Sequence, residues 1–271
     1  MRPIYFVKYY DKGSTVMAAD QIAAALSSRG IAARSVYVRA IRDVHDAILV
    51  FIKTSRLDHL LRAKRNHNRL VLDVQDTVVF KRHIKNRWFF DALIFKNHRQ
   101  LADFGRNGRP DRIIHHQWDE RYAPHRAGES ELKIGYFGLA RSFAQWGELP
   151  EVACFDHDYF VRALDYNCHL SIREPGREFL YKPNCKVSTA AACGANLVTT
   201  VDVSTVEFLG DDYPYYCGQD RESILAAIDK ARSTLRGPEW RRGLERMREV
   251  REITSMSRIL DDYLELFRDL A

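Results

Sequence analysis

The 271 residues predict an α/β protein of two Rossmann-like domains, and three observations carry that reading. Short apolar runs rich in β-branched and aromatic residues alternate with helical periodicity through the first half. A polar stretch with Pro, Gly and Ser interrupts this pattern near residue 122, and the alternation then begins again. The length fits, because it exceeds one average domain and falls short of three.

In chain order, Ile4 to Lys8 reads as the first strand, Asp11 to Thr15 as a turn, and Val16 to Ser28 as a helix with an apolar stripe. Strand signals recur at Ala33 to Val38, Ala47 to Ile52, Leu70 to Val74, Asp91 to Phe95 and Arg112 to His115, with helices between them. This predicts a first domain over 1–121, a linker over 122–131, and a second domain over 132–254. In the second domain, Leu132 to Phe137, Glu151 to Phe155, Cys168 to Ile172 and Asn196 to Thr200 read as strands. His157 to Asp165 and the small residues Ser188 to Cys193 read as helices. A last helix over 255–271 carries Ile259, Leu260, Leu264 and Phe267 on one face.

No apolar run approaches the roughly 20 residues that span a bilayer, and the N-terminal apolar stretch is too short for a signal peptide. A cytoplasmic protein is the expectation. The five cysteines all lie in the second half without a CxxC pair, which points to reduced thiols rather than a disulfide or zinc framework. Charge is unevenly divided: residues 1–121 carry 23 Lys and Arg against 12 Asp and Glu, while the remainder carries 19 against 24. The first half therefore either faces an anionic partner or presents a basic solvated surface.

The segment richest in chemistry runs from Tyr181 to Thr200. A basic, polar loop (Lys182, Asn184, Lys186) enters a helix of tiny residues, Gly194 ends that helix, and an apolar strand follows. Such an arrangement suits a phosphate, which is attracted by free N–H groups and the positive end of the helix dipole. Ser188 and Thr189 offer hydroxyls, Lys186 a cation, and the alanines close approach.

This stretch resembles the donor domain of GT-B glycosyltransferases, in which a K-x-x-E-A-x-A-C-G motif precedes the strand. Further likenesses fall in the family's order: Leu70 to Asp76 is similar to its strand ending in x-H-D, Arg112 to Pro124 to its inter-domain segment, and Leu132 to Gly138 to the strand opening its donor domain. The resemblance implies two domains facing a cleft, the last helix crossing back to the first domain, and transfer of a sugar from a nucleotide-activated donor to a glycan or lipid-linked acceptor. The nucleotide sugar is then a substrate, and no separate cofactor is expected. Without a D-x-D motif, metal independence is expected too. Two glutamates of the family motif correspond to Tyr181 and Thr189 here, and its Pro to Asn196.

For donor binding the resemblance implies Gly13 and Ser14 in the loop after the first strand, Gly138 and Arg141 after the strand opening the second domain, and Lys182, Asn184, Lys186, Ser188 and Thr189. A general base for inverting transfer is sought first at Asp76, where open sheets place their sites, then at Asp11 and His83. The basic residues among Leu57, Leu60 and Leu61, and those beside Trp88, Phe89 and Phe90, suggest docking on an anionic membrane surface. Nucleic acid is not expected as a partner, since no binding module is present. The alternatives are a non-catalytic nucleotide-sugar-binding relative and a base-modifying glucosyltransferase.

Overall fold

A computed structural model describes residues 2–270 apart from 77–85, 140–142, 144–145, 147–148, 150, 175 and 184. The chain divides into two compact units, one formed by Met1–Gln117, Tyr181–Pro183 and Met256–Ala271, the other by Trp118–Leu180 and Asn184–Ser255. Among the described residues, no helix is long and apolar enough to cross a membrane.

The first unit is built on a parallel sheet of β1 (Ile4–Lys8), β2 (Ala33–Tyr37), β3 (Ile48–Ile52), β4 (Arg69–Asp73), β5 (Ala92–Phe95) and β6 (Arg112–Ile113), in the order β2-β1-β3-β4-β5-β6. Both faces of β3 are buried, as a central parallel strand requires, which is why its sequence is an unbroken apolar run, ILVFI. Between β1 and β2, α1 (Gly13–Thr15) continues through a π-helical stretch, Val16–Gln21, into α2 (Ile22–Ser28). α3 (Leu57–Arg65) joins β3 to β4, and α4 (His98–Phe104) follows β5, capped by the Asn97 side chain accepting from Gln100 N–H.

The second unit repeats the pattern. Its parallel strands are β7 (Ile134–Phe137), β8 (Val152–Phe155), β9 (Cys168–Ser171), β10 (Asn196–Thr200) and β11 (Tyr216–Cys217), in the order β11-β10-β9-β7-β8. Short helices α5 (Tyr159–Arg162) and α6 (Arg177–Tyr181) lie near the ends of β8 and β9, and α7 (Cys185–Cys193) leads into β10. Gly194 ends α7 at φ +65°, a conformation that costs a residue with a Cβ and is free for glycine. α8 (Val203–Leu209), α9 (Arg221–Ser233) and α10 (Pro238–Ile253) complete this unit around Trp240, Tyr215, Met247 and Val250.

The last helix, α11 (Met256–Asp269), belongs to the first unit. Its buried stripe, Ile259, Leu260, Tyr263, Leu266 and Phe267, joins the core of Ile4, Phe6, Ile22 and Leu26. Residues 122–131, expected to be a linker, are tied to the second unit: His125 N–H donates to Cys193 O and Arg126 N–H to Leu164 O. The Asn167 side chain also donates to Gly128 O and Glu131 O. The division of the chain falls earlier, between Gln117 and Trp118.

Candidate functional site

In each sheet one strand has its two neighbours connected in opposite directions, β1 in the first unit and β7 in the second. Connections leave such a strand and its neighbour on opposite faces of the sheet, opening a crevice at their carboxyl ends where ligands of α/β folds bind.

In the second unit a crevice opens beside the end of β7. Its walls are Phe137 at the end of β7, His169 and Leu170 of β9, Leu197 of β10, and Cys185, Lys186 and Thr189 of α7, with Tyr122 and Tyr159 closing it. The Lys186 ammonium lies over the Tyr136 ring, 3.6 Å from its centroid. A Cβ placed on Gly138 would come within 3.2 Å of Lys186 Nζ and 3.0 Å of the Tyr136 hydroxyl. A side chain at 138 would therefore crowd the ammonium, so glycine keeps open the approach to the cation at the mouth of β7. The structure thus brings together Gly138, Lys186 and Thr189.

α7 begins at this place, with Cys185 and Lys186 of its first turn on the crevice wall, and a helix start carries the positive end of the helix dipole. Here one expectation needs correction. The helix begins at Cys185 and not at Ser188, so Lys186 sits within its first turn rather than on the entering loop. Ser188 is buried and its hydroxyl donates to Cys185 O at 3.0 Å, which places it inside the helix instead of at its cap. Thr189 lines the crevice and shares a side-chain hydrogen bond with Tyr122, whose phenol is pushed up chiefly by burial. Tyr122 stacks near Phe160, centroids 4.9 Å apart, and the Arg121 guanidinium covers the other ring at 3.6 Å.

His169 packs its ring 4.6 Å from that of Phe137, and Nε2 lies 3.2 Å from Ala163 O. Burial lowers its pKa to about 4, so the crevice presents a neutral imidazole at pH 7. Sequence reasoning missed Tyr122, Phe137, Tyr159 and His169. Aromatic rings and a lone histidine carry no mark in sequence that separates a crevice wall from a core.

Lys182 clusters with the first unit, whereas Lys186 belongs to the second. Arg141, Asn184 and His83 lie outside the described residues. Tyr181 is buried in the first unit, where its hydroxyl donates to Asp103 at 2.6 Å and its ring meets Phe104.

In the first unit, Gly13 opens α1 with nothing within 4 Å of a Cβ built on it, and Ser14 is half-buried beside it. Asp11, after β1, is engaged by Lys8 Nζ at 2.7 Å and by the Tyr37 hydroxyl. Those hydrogen bonds, Lys8's first, hold its carboxyl below the usual carboxylate range, which makes it a weaker base. Asp76, after β4, is half-buried and pairs with Lys53 Nζ at 2.9 Å. A buried network beneath it links Asp73 to Lys96 Nζ, Gln75 Nε2 and the Tyr263 hydroxyl, each at 2.9 to 3.0 Å. Among the described residues no group of three or more His, Cys, Asp and Glu side chains could hold a metal ion.

No family model matches the sequence. No characterised protein matches it either. Solved structures do match. Sucrose-phosphate synthase of Thermosynechococcus elongatus superposes with a TM-score of 0.67 at 11% identity, covering 100% of this chain and 99% of that one. HepE of Anabaena, in complex with UDP and glucose, gives 0.66 at 11% identity, covering 99% and 100%. A glycosyltransferase of Rickettsia africae gives 0.65 at 10% identity, covering 99% and 98%. The chain, two α/β halves each on a parallel sheet, therefore has along its whole length the fold of solved glycosyltransferases.

Proposed function

We propose that this chain is a metal-independent GT-B glycosyltransferase that takes a sugar from a nucleotide-activated donor held by its second unit and passes it to a glycan or lipid-linked acceptor. The observation that carries the reading is Lys186, whose ammonium stands at Gly138 in the crevice beyond β7, with the first turn of α7 beside it. A cation and a helix N-terminus at the switch point of a parallel sheet are what a diphosphate needs. Uridine diphosphate is the leaving group we favour, because HepE is described with UDP-glucose and TarM with UDP.

In the reaction so assigned, an acceptor hydroxyl oxygen bonds to the anomeric carbon as the bond from that carbon to the diphosphate oxygen breaks. The departing diphosphate gains negative charge, which Lys186 and the α7 amides stabilise without reorganisation. The acceptor's proton goes to a base, and Asp76 is our assignment, its carboxylate held by Lys53. Thr189 and Tyr122 supply hydroxyls where the family motif has the ribose-binding glutamate. A peripheral position on anionic membrane is part of the proposal, supported by Leu57, Leu61, Trp88 and Phe89, which stay exposed among basic side chains.

A second reading, a non-catalytic nucleotide-sugar binder, is favoured by one observation: Tyr181, at the position of the glutamate that the family places near the donor sugar, is committed to Asp103. Hydrolysis or transfer of UDP-glucose separates the two readings, since the binder turns nothing over.

Calorimetric titration of UDP into Lys186→Ala tests the site. The variant loses a charge-assisted contact of about 1.5 to 3 kcal/mol, or roughly 10- to 150-fold in affinity, with its melting temperature nearly unchanged. Unaltered affinity at fixed salt would mean the donor binds elsewhere.

A further inference from the structure

Within the first unit, the 3-10 turn Val38–Ile41 and α3 enclose a pocket of about 250 Å³, walled by Arg39, Arg42, His59 and Arg62 over Ile41 and Ala63. No acidic side chain lines it. Some arginines elsewhere in this unit pair with carboxylates, Arg29 with Asp261, Arg56 with Asp58, Arg106 with Asp111 and Arg112 with Glu265. Among the described residues Arg39, Arg42 and Arg62 have no carboxylate within ion-pair distance. Beside the pocket wall, Asp58 Oδ2 lies 3.8 Å from His59 Nε2, and Arg56 already engages that carboxylate.

His59 is also oriented. The Tyr9 hydroxyl accepts from Arg56 N–H at 3.0 Å and stands 2.9 Å from His59 Nδ1. Its own proton is available to Nδ1 in the tautomer that carries the ring's N–H on Nε2. Three guanidiniums without counter-charge repel one another, and a merely solvated basic face has no need to gather them around one concavity with a fixed imidazole. An anion resolves the repulsion, and guanidinium forks match the oxygens of a phosphoryl group.

We infer that this pocket binds the phosphoryl group of an anionic acceptor. Val38 directly follows β2 and His59 lies in the first turn of α3 after β3, so the pocket sits at the carboxyl edge of the sheet, the edge that carries Asp11 and Gly13. The word acceptor rests on the glycosyltransferase reading; phosphoryl binding does not.

The test is calorimetric titration of inorganic phosphate into UDP-saturated protein, so that the donor crevice is filled, with UDP affinity measured separately. Arg62→Gln weakens phosphate at least tenfold and Arg39→Gln/Arg62→Gln further, while UDP affinity stays within twofold. All three arginines are exposed, so the variants keep the wild-type melting temperature or exceed it as like charges are removed. Phosphate affinity within twofold of wild type in the double variant overturns the inference. Should UDP not bind at all, the titration is run without it; a tenfold loss then upholds the pocket while the donor assignment falls. Co-sedimentation with phosphatidylcholine vesicles with and without phosphatidic acid separates the sources. Arginine-dependent capture only with phosphatidic acid identifies a lipid headgroup. Phosphate binding without vesicle capture identifies a soluble phosphorylated acceptor.

Discussion

Thr189 and Tyr122 set two hydrogen-bonded hydroxyls in the wall of one crevice. On the proposed function these neutral groups stand in for a carboxylate, binding a neighbouring sugar more weakly than a charge would but demanding no buried ion. Thr189→Val, at nearly constant volume, is expected to weaken UDP about two- to tenfold, the weight of one neutral hydrogen bond. Tyr122→Phe should behave alike because it removes the partner hydroxyl, and calorimetry on both variants decides the matter. Asp76→Asn should instead spare UDP affinity and lower turnover by about two orders of magnitude, read from initial rates. The sequence singled out Lys186 through the basic stretch before a small-residue helix, and the structure sets it in the first turn of α7, on the crevice wall. The helix start was not legible: Ser188 looks like a cap, yet nothing in sequence shows that Cys185 to Val187 already follow the helical path, with the serine hydroxyl bonded back to Cys185 O.

At the scale of elements, the strands were legible wherever both faces are buried. Ile4–Lys8 and Asn196–Thr200 have the limits their apolar runs suggest, whereas β11, two residues long, has too little pattern to be seen. The length of α7 and the π-helical stretch before α2 escaped for the same reason, since propensity marks the middle of an element better than its ends. α11 adds a polar tether to its apolar stripe: the buried Tyr263 hydroxyl donates to Asp73, which Lys96 and Gln75 also bind. Tyr263→Phe leaves that buried carboxylate one donor short and should destabilise the protein by about 1 to 3 kcal/mol in urea denaturation. Phe267→Ala, which opens a cavity against Phe6 and Tyr263, should cost about 3 to 5 kcal/mol. Equal losses from the two changes would argue against a core-dominated helix.

Across the whole molecule the two units share one strand order over five strands, and among the described residues each buries one histidine, His116 in the first and His169 in the second. Burial lowers both to about 4, helped at His116 by the charge of Lys96. Among the described residues His116 Nε2 has no hydrogen-bond partner, so a proton placed there would be poorly solvated. Since the unfolded chain takes up these protons near pH 6.5 and the folded chain only near 4, the unfolded state binds more protons throughout that window. Stability is therefore full above about pH 6.5 and falls as pH drops toward 4, by about 3 kcal/mol per histidine. Asp202 opposes the trend, because burial raises its pKa and protonation favours the folded form, while Asp103, held low first by the Tyr181 hydroxyl and also by Arg99, adds to it. Urea midpoints at pH 7.5 and 4.5 measure the net slope. In the wild type the midpoint should fall markedly at the lower pH. His169→Asn, destabilised at pH 7.5 by its imperfect fit, should lose distinctly less on acidification because the group that titrates is gone. An acid loss in that variant equal to the wild type's would place the pH dependence on the carboxylates instead.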